Sequence, residues 1–232
     1  MSLEEFLDYA HHEIITLFPI LDIPWGPFFE LTRINRPVEA VMAVLLYSVG
    51  LLFSTSLIVP PLQPKAILTP AWRSIVWVYY MRHALCAFKD ATDYEYDRHV
   101  RRRQLRPVAR GALTPDAAFN FSIILLAAGT IALAFLPRRS HGLGVLVTLV
   151  MMLYPYAKRV TSFPQFVMGF GFTLSVFMTG NIIGVELSPG SGNFWPALYL
   201  GLVLMLLATM ANVVYTYQDI LTMPKLEDIL WL

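Results

Sequence analysis

The stretch AILTPAWRSIVWVYYMRHALCAFKDATDYEYDRHVRRRQLRPVARGALTPDAAFNFSIILLAAGTIALAFL, residues 66–136, sets two apolar segments on either side of a loop dense in charge. The downstream arm, Ala117–Leu136, carries no charged residue; the upstream arm, Ala66–Phe88, is interrupted by Arg73, Arg82 and His83. Each has about the 20 residues that a helix needs to cross the apolar core of a bilayer. An ionisable group inside a span is costly and normally faces a polar cavity or another helix. The upstream arm therefore reads as a span whose basic residues look inward or snorkel to an interface.

Working outward, Val41–Val59, Phe163–Val185 and Phe194–Gln218 are further uncharged stretches of spanning length, and Gly142–Ala157 reaches it with Ser140 and His141. The expected fold is all-α, a multi-pass transmembrane helical bundle with six spans in this chain. Composition agrees: of 232 residues 56% are hydrophobic and 14% charged, against roughly 25% charged in an average soluble domain. Seventeen Lys and Arg face 16 Asp and Glu, a formal charge of +1, which argues for a lipid bilayer and against nucleic acid as partner. Cys86 is the only cysteine, so neither a disulfide framework nor a thiolate metal site is expected.

With six spans the connecting loops alternate sides. One side receives Arg33, Arg36, Lys89, Arg98, Arg101, Arg102, Arg103, Arg106, Arg110, Lys158 and Arg159, and the other Lys65, Arg138 and Arg139. Basic loops stay in the cytosol, which puts the amino terminus there too. The first 18 residues carry Glu4, Glu5, Asp8 and Glu13 and no Lys or Arg, unlike a signal peptide or a mitochondrial presequence. The expected location is the endomembrane system, the ER rather than the mitochondrial inner membrane. The chain reads as one domain over 1–232, with an amphipathic segment at 1–36 and a divergent tail at 220–232.

Within the loop, KDATDYEYDRHVRRRQLRPVARGAL at 89–113, Asp90, Asp93 and Asp97 are spaced i, i+3 and i+7. That spacing puts them on one face of a helix continuing from the second span. Three carboxylates on one face repel one another unless a cation sits between them. Mg²⁺ is an oxygen-seeking ion, usually held by one or two carboxylates with substrate phosphate and water. The arginines that follow offer paired donors to phosphate oxygens. A loop of mixed charge between two spans is often only topogenic. The spacing followed by Arg106-Pro107 and the small turn Ala109-Arg110-Gly111 is more specific than that, and it describes a diphosphate site at a membrane surface.

The same segment resembles the first aspartate motif of the UbiA superfamily of intramembrane prenyltransferases, NDxxDxxxD followed by a basic run and RP(L/V)xxG. The likeness is greatest to the 4-hydroxybenzoate polyprenyltransferase branch and its fungal secondary-metabolism members. FELTRINRP at 29–37 resembles the segment before the family's first helix, YPYAKRVT at 154–161 its YPxxKR(F/V)T segment, and YTYQD at 215–219 the opening of its second aspartate motif. The likeness runs in order from about residue 28 to 219.

The resemblance implies a bundle of nine helices around a central cavity. It also implies Mg²⁺-dependent transfer of a polyprenyl group, farnesyl or geranylgeranyl, from a prenyl diphosphate to an aromatic or polyketide-derived acceptor. Asp90, Asp93, Asp97 and Asp219 are the implied catalytic metal ligands; Arg102, Arg106, Lys158 and Arg159 are the implied contacts to the substrate diphosphate. An allylic cation formed in a dry cavity is protected from water and stabilised by aromatic faces, with Tyr79, Tyr80, Phe166, Phe170, Phe172 and Phe177 as candidates. Two other readings share these residues: a membrane terpene cyclase acting on farnesyl diphosphate, and a non-catalytic paralogue.

Three positions depart from the pattern. Lys89 stands where the first motif has Asn, Asn212 where the second often has an upstream Asp, and Met223 where another Asp is expected. Pro224 breaks any helix that would align Glu227 and Asp228 with Asp219. From these departures and the six spans, the expectation is a C-terminally shortened, catalytically weak version of a longer enzyme.

Overall fold

A computed structural model describes residues 25–32, 37–58, 64–100, 103–161 and 163–221. Every regular element among them is a helix: α1 (Trp25–Leu31), α2 (Pro37–Ser56), α3 (Pro64–Thr92), α4 (Tyr94–Asp97), α5 (Pro115–Ala134), α6 (Arg138–Val160), α7 (Pro164–Ile183) and α8 (Phe194–Leu221). The six helices of 20 residues or more coincide with the six expected spans. By length and composition α5, α6, α7 and α8 can cross a membrane. Helix α2 contributes a shorter apolar stretch, Val44–Ser56, and α3 carries Lys65, Arg73, Arg82, His83, Lys89 and Asp90 along its length.

Local chemistry sets the ends. The Thr114 hydroxyl accepts from the Ala117 amide at 3.1 Å and Pro115 takes the first turn of α5, a capped start in which proline costs no hydrogen bond. Helix α7 ends at Gly184, in the left-handed region at φ +103°. There the Gly184 and Val185 amides both donate to Gly180 O, the closing turn that glycine makes without strain.

Helix α3 packs along α5, α7 lies between α6 and α8, and α2 lies on α7. Small residues allow the close approaches, as expected where the surrounding solvent is lipid. A side chain at Gly201 would sit 2.6 Å from Thr173 Cγ2, and the Thr173 hydroxyl uses that proximity to donate to Gly201 O at 2.9 Å.

Of the basic residues of α3, Arg82 and His83 turn into the bundle, whereas Lys65 and Arg73 are exposed. The His83 ring is buried, with Nδ1 2.7 Å from Thr32 O. Arg82 Nη1 donates to the same carbonyl at 3.3 Å, and Arg73 Nη1 donates to Phe135 O at 3.4 Å. At one end of the bundle, Arg159 Nη2 donates to Thr92 O at 3.1 Å and Arg110 pairs with Glu30 at 2.9 Å. The loops expected to share a side do share an end.

Candidate active site at the charged end

The site grows out of the last turn of α3. Asp90 lies on that turn, and the helical path continues through the Asp93 amide, which donates to Lys89 O at 2.9 Å. At Asp93 the backbone relaxes to φ −98°, ψ 5°, so the single helix expected across the three aspartates is bent into α3 and the one-turn α4. The Asp97 amide still donates to Asp93 O at 2.9 Å, which keeps the carboxylates on one side of the bend. Asp90, Asp93 and Asp97 are 1%, 4% and 1% exposed.

Residues 103–113 then fold back over them. Successive turns run through Arg103, Arg106 and Arg110, and Gly111, at φ +81°, lets the Ala112 and Leu113 amides both donate to Pro107 O. Buried Val100 and Val108 anchor the fold-back. Arg106 is thereby returned to the helix it follows: its Nη1 donates to Asp90 Oδ1 at 3.0 Å and also to Asp97 Oδ2. Arg103 Nη1 donates to Asp97 Oδ1 at 3.2 Å.

Among the described residues, no three His, Cys, Asp or Glu side chains are gathered closely enough to hold a metal ion unaided. The donor set nevertheless suits Mg²⁺, which needs one or two carboxylates and completes its shell with phosphate oxygens and water. Oxygens of Asp90 and Asp97 both address one cationic nitrogen of Arg106, so the point between them is built for positive charge.

Next to this cluster a cavity of about 260 Å³ opens between α3, α6 and α7, with Tyr47 added from α2. Lys89, one residue before Asp90, lies at one end of its α3 wall and Trp77 at the other. The rest is largely apolar, with Met81, Met151, Met168 and Phe172 prominent.

The UbiA prenyltransferase family model matches residues 40–223. The chain belongs to that family. Prenyltransferase stbC of Stachybotrys bisbyi is 30% identical over 203 residues, 87% of this chain and 61% of that protein. DMOA farnesyltransferase nvfB of Aspergillus novofumigatus is 30% identical over 214 residues, 91% of this chain and 65% of that protein. The chain thus spans less than two thirds of the length of either. A UbiA homologue from Aeropyrum pernix K1 shares the fold at a TM-score of 0.64 and 22% identity, over 78% of this chain and 64% of its own. The structure of digeranylgeranylglyceryl phosphate synthase aligns at 0.61 and 20% identity, over 84% and 63%.

Of the residues implied by the family motifs, the structure brings together Asp90, Asp93, Asp97 and Arg106. Arg159 joins their rim, its guanidinium 5.7 Å from the Tyr96 ring centre and 5.9 Å from that of Tyr156. Lys158 and Asp219 fall on α6 and α8 respectively, with side chains outside the described residues. Arg102 lies outside them altogether, as do Met223, Glu227 and Asp228.

Arg103, to which the family motifs assign no role, is a direct partner of Asp97. Lys89 and Asn212, two of the departures from the family pattern, meet at Tyr154. Lys89 Nζ is 5.5 Å from the Tyr154 ring centre, and the Tyr154 hydroxyl donates to Asn212 Oδ1 at 3.4 Å. Of the six candidate aromatics only Phe172 lines the cavity. Tyr79, Phe166 and Phe170 are exposed on the outside of the bundle, and Phe177 packs against Phe194.

Proposed function

We propose that the protein transfers a farnesyl or geranylgeranyl group from its diphosphate to an aromatic or polyketide-derived acceptor, in an endomembrane such as the ER. The observation that carries this reading is the buried cluster in which Asp90 and Asp97 converge on Arg106, at the end of an apolar cavity within a membrane bundle. Charge for a diphosphate and an apolar cavity for a hydrocarbon tail lie side by side.

In the reaction, the bond between the allylic carbon and the diphosphate oxygen breaks. An electron-rich carbon of the acceptor then bonds to the allylic carbon and afterwards loses its proton to the released diphosphate or to water. Asp90, Asp93 and Asp97, with Asp219 as a further ligand, would hold magnesium, which when bound would supply neutralisation of the leaving group's charge. Arg102, Arg106, Lys158 and Arg159 would contribute donors to the phosphate oxygens, as electrostatic stabilisation requires; the burial of Arg106 against Asp90 and Asp97 supports that role. The surrounding helices exclude water from the cation, and Phe172 and Tyr154 give the cavity aromatic faces. Fungal relatives whose names specify prenyl transfer support this reading, and one of them is a farnesyltransferase.

The test is to express the full-length protein in membranes and supply labelled farnesyl diphosphate with a panel of phenolic acceptors. The expected result is a prenylated acceptor that requires Mg²⁺. A hydrocarbon product formed without acceptor would instead establish the cyclase reading.

A further inference from the structure

The cavity wall on α3 is a single helical face, and it has a measurable length. Lys89 marks its charged end and Trp77 its far end; twelve residues at 1.5 Å each separate them by about 18 Å. Among the described residues, no cavity-lining residue on α3 precedes Trp77. The indole is 2% exposed and packs in an apolar cluster with Tyr47 and Val147, which also line the cavity, and with Leu133 and Leu136, which do not.

The indole also has a feature that packing alone does not explain. Trp77 Nε1 is buried and, among the described residues, has no hydrogen-bond partner, a cost to the fold that phenylalanine would avoid. What tryptophan offers here beyond phenylalanine is bulk.

We propose that Trp77, backed by Tyr47 and Val147, is the floor that sets the prenyl chain length, admitting a fifteen-carbon chain and penalising a twenty-carbon one. This rests on the prenyl-diphosphate reading above. An extended isoprene unit adds four chain bonds of about 1.5 Å, or roughly 5 Å of length. Three units from the charged end occupy about 15 Å and stop short of the indole, whereas a fourth needs about 20 Å and meets it. A floor that cannot yield must then shift or force the chain to fold, the usual outcome of overpacking.

The experiment measures binding rather than turnover. The full-length protein in nanodiscs with Mg²⁺ is titrated with the non-hydrolysable thiolo analogues of farnesyl and geranylgeranyl diphosphate. The protein as it stands should prefer the shorter analogue by about tenfold, ~1.4 kcal/mol. Trp77→Leu should cut that preference to about threefold or less by admitting the longer chain, and Trp77→Phe, which removes only part of the bulk, should give an intermediate ratio. Val147→Ala, at the same floor, should shift the ratio in the same direction and serves if Trp77→Leu fails to fold.

An unchanged preference in a folded Trp77→Leu or Val147→Ala protein overturns the floor and leaves the prenyl-diphosphate reading standing. Failure of the unsubstituted protein to bind either analogue overturns both. A role for Trp77 in packing alone would lower thermal stability without moving the ratio.

Discussion

The charged end of the bundle and the apolar cavity beside it are built in opposite ways. At the charged end, 17 consecutive residues from Asp90 to Arg106 supply carboxylates and guanidinium together, and a short fold-back brings them into contact. The cavity takes its walls from α3, α6, α7 and α2, elements separated by up to about half the chain. Ionic chemistry that must be exact is coded locally, where a few turns fix the distances. Apolar volume, which tolerates substitution so long as shape and size are kept, is assembled from distant helices.

The largest effect expected from this contrast lies at the charged end. Asp90→Asn keeps the shape of the side chain and one hydrogen-bonding oxygen, but removes the charge that faces Arg106 and that the proposed magnesium site needs. The proposed transfer should fall about 100-fold or more, the scale of losing one preorganised electrostatic contact, with the protein still folded. Asp90→Ala would strand part of the Arg106 charge in a buried site, and removing one partner of a buried pair costs about 3–5 kcal/mol. Steady-state rates in membranes, read beside thermal unfolding, distinguish the two effects. Near-normal turnover by folded Asp90→Asn protein would remove this loop from the site.

A smaller effect is expected in the cavity, and it separates two neighbours in sequence. Phe172 lines the cavity, whereas Phe170 is 47% exposed on the outside. Phe172→Ala should raise the KM for the prenyl substrate about tenfold, the scale of one lost buried aromatic. Phe170→Ala should change it by less than about twofold, as for substitutions away from packed features. Equal effects from the two would mean that the cavity is not where the tail binds.

This pair also shows why part of the molecule was legible in the sequence and part was not. In a soluble helix the apolar face points inward and the pattern betrays the core. In α7 both faces are apolar, because lipid and cavity make the same demand, so Phe170 and Phe172 read alike until neighbouring helices are placed. The three aspartates were legible because charge is rare in such a chain and their spacing matches a helical face. The contact of Arg103 with Asp97 was not, since it depends on the turn in which the Arg103 amide donates to Val100 O at 2.7 Å. That turn leaves no periodic trace. Nor was the meeting of Lys89, Tyr154 and Asn212, which needs α3, α6 and α8 in register.

The smallest effect expected is a protection. Cys86, the only cysteine in the chain, lies on the cavity wall one turn from Asp90. A prenyl diphosphate analogue should slow its alkylation by a small maleimide about threefold or more at saturation, by excluding reagent from the thiolate that must react. Inorganic diphosphate, which lacks the hydrocarbon tail, should slow it less. Equal protection by the two would place the bound tail elsewhere.

The division of labour between the two regions is tested most directly by measuring the affinities of inorganic diphosphate and of a farnesyl diphosphate analogue for the same set of variants in the presence of Mg²⁺. Asp90→Asn should weaken both ligands by similar factors, because it alters the charge that they share. Phe172→Ala should weaken the farnesyl ligand about tenfold and leave inorganic diphosphate unchanged. An Asp90→Asn protein that is folded and binds both ligands as tightly as the unsubstituted chain would contradict the assignment of the Asp90–Asp97–Arg106 cluster to the diphosphate.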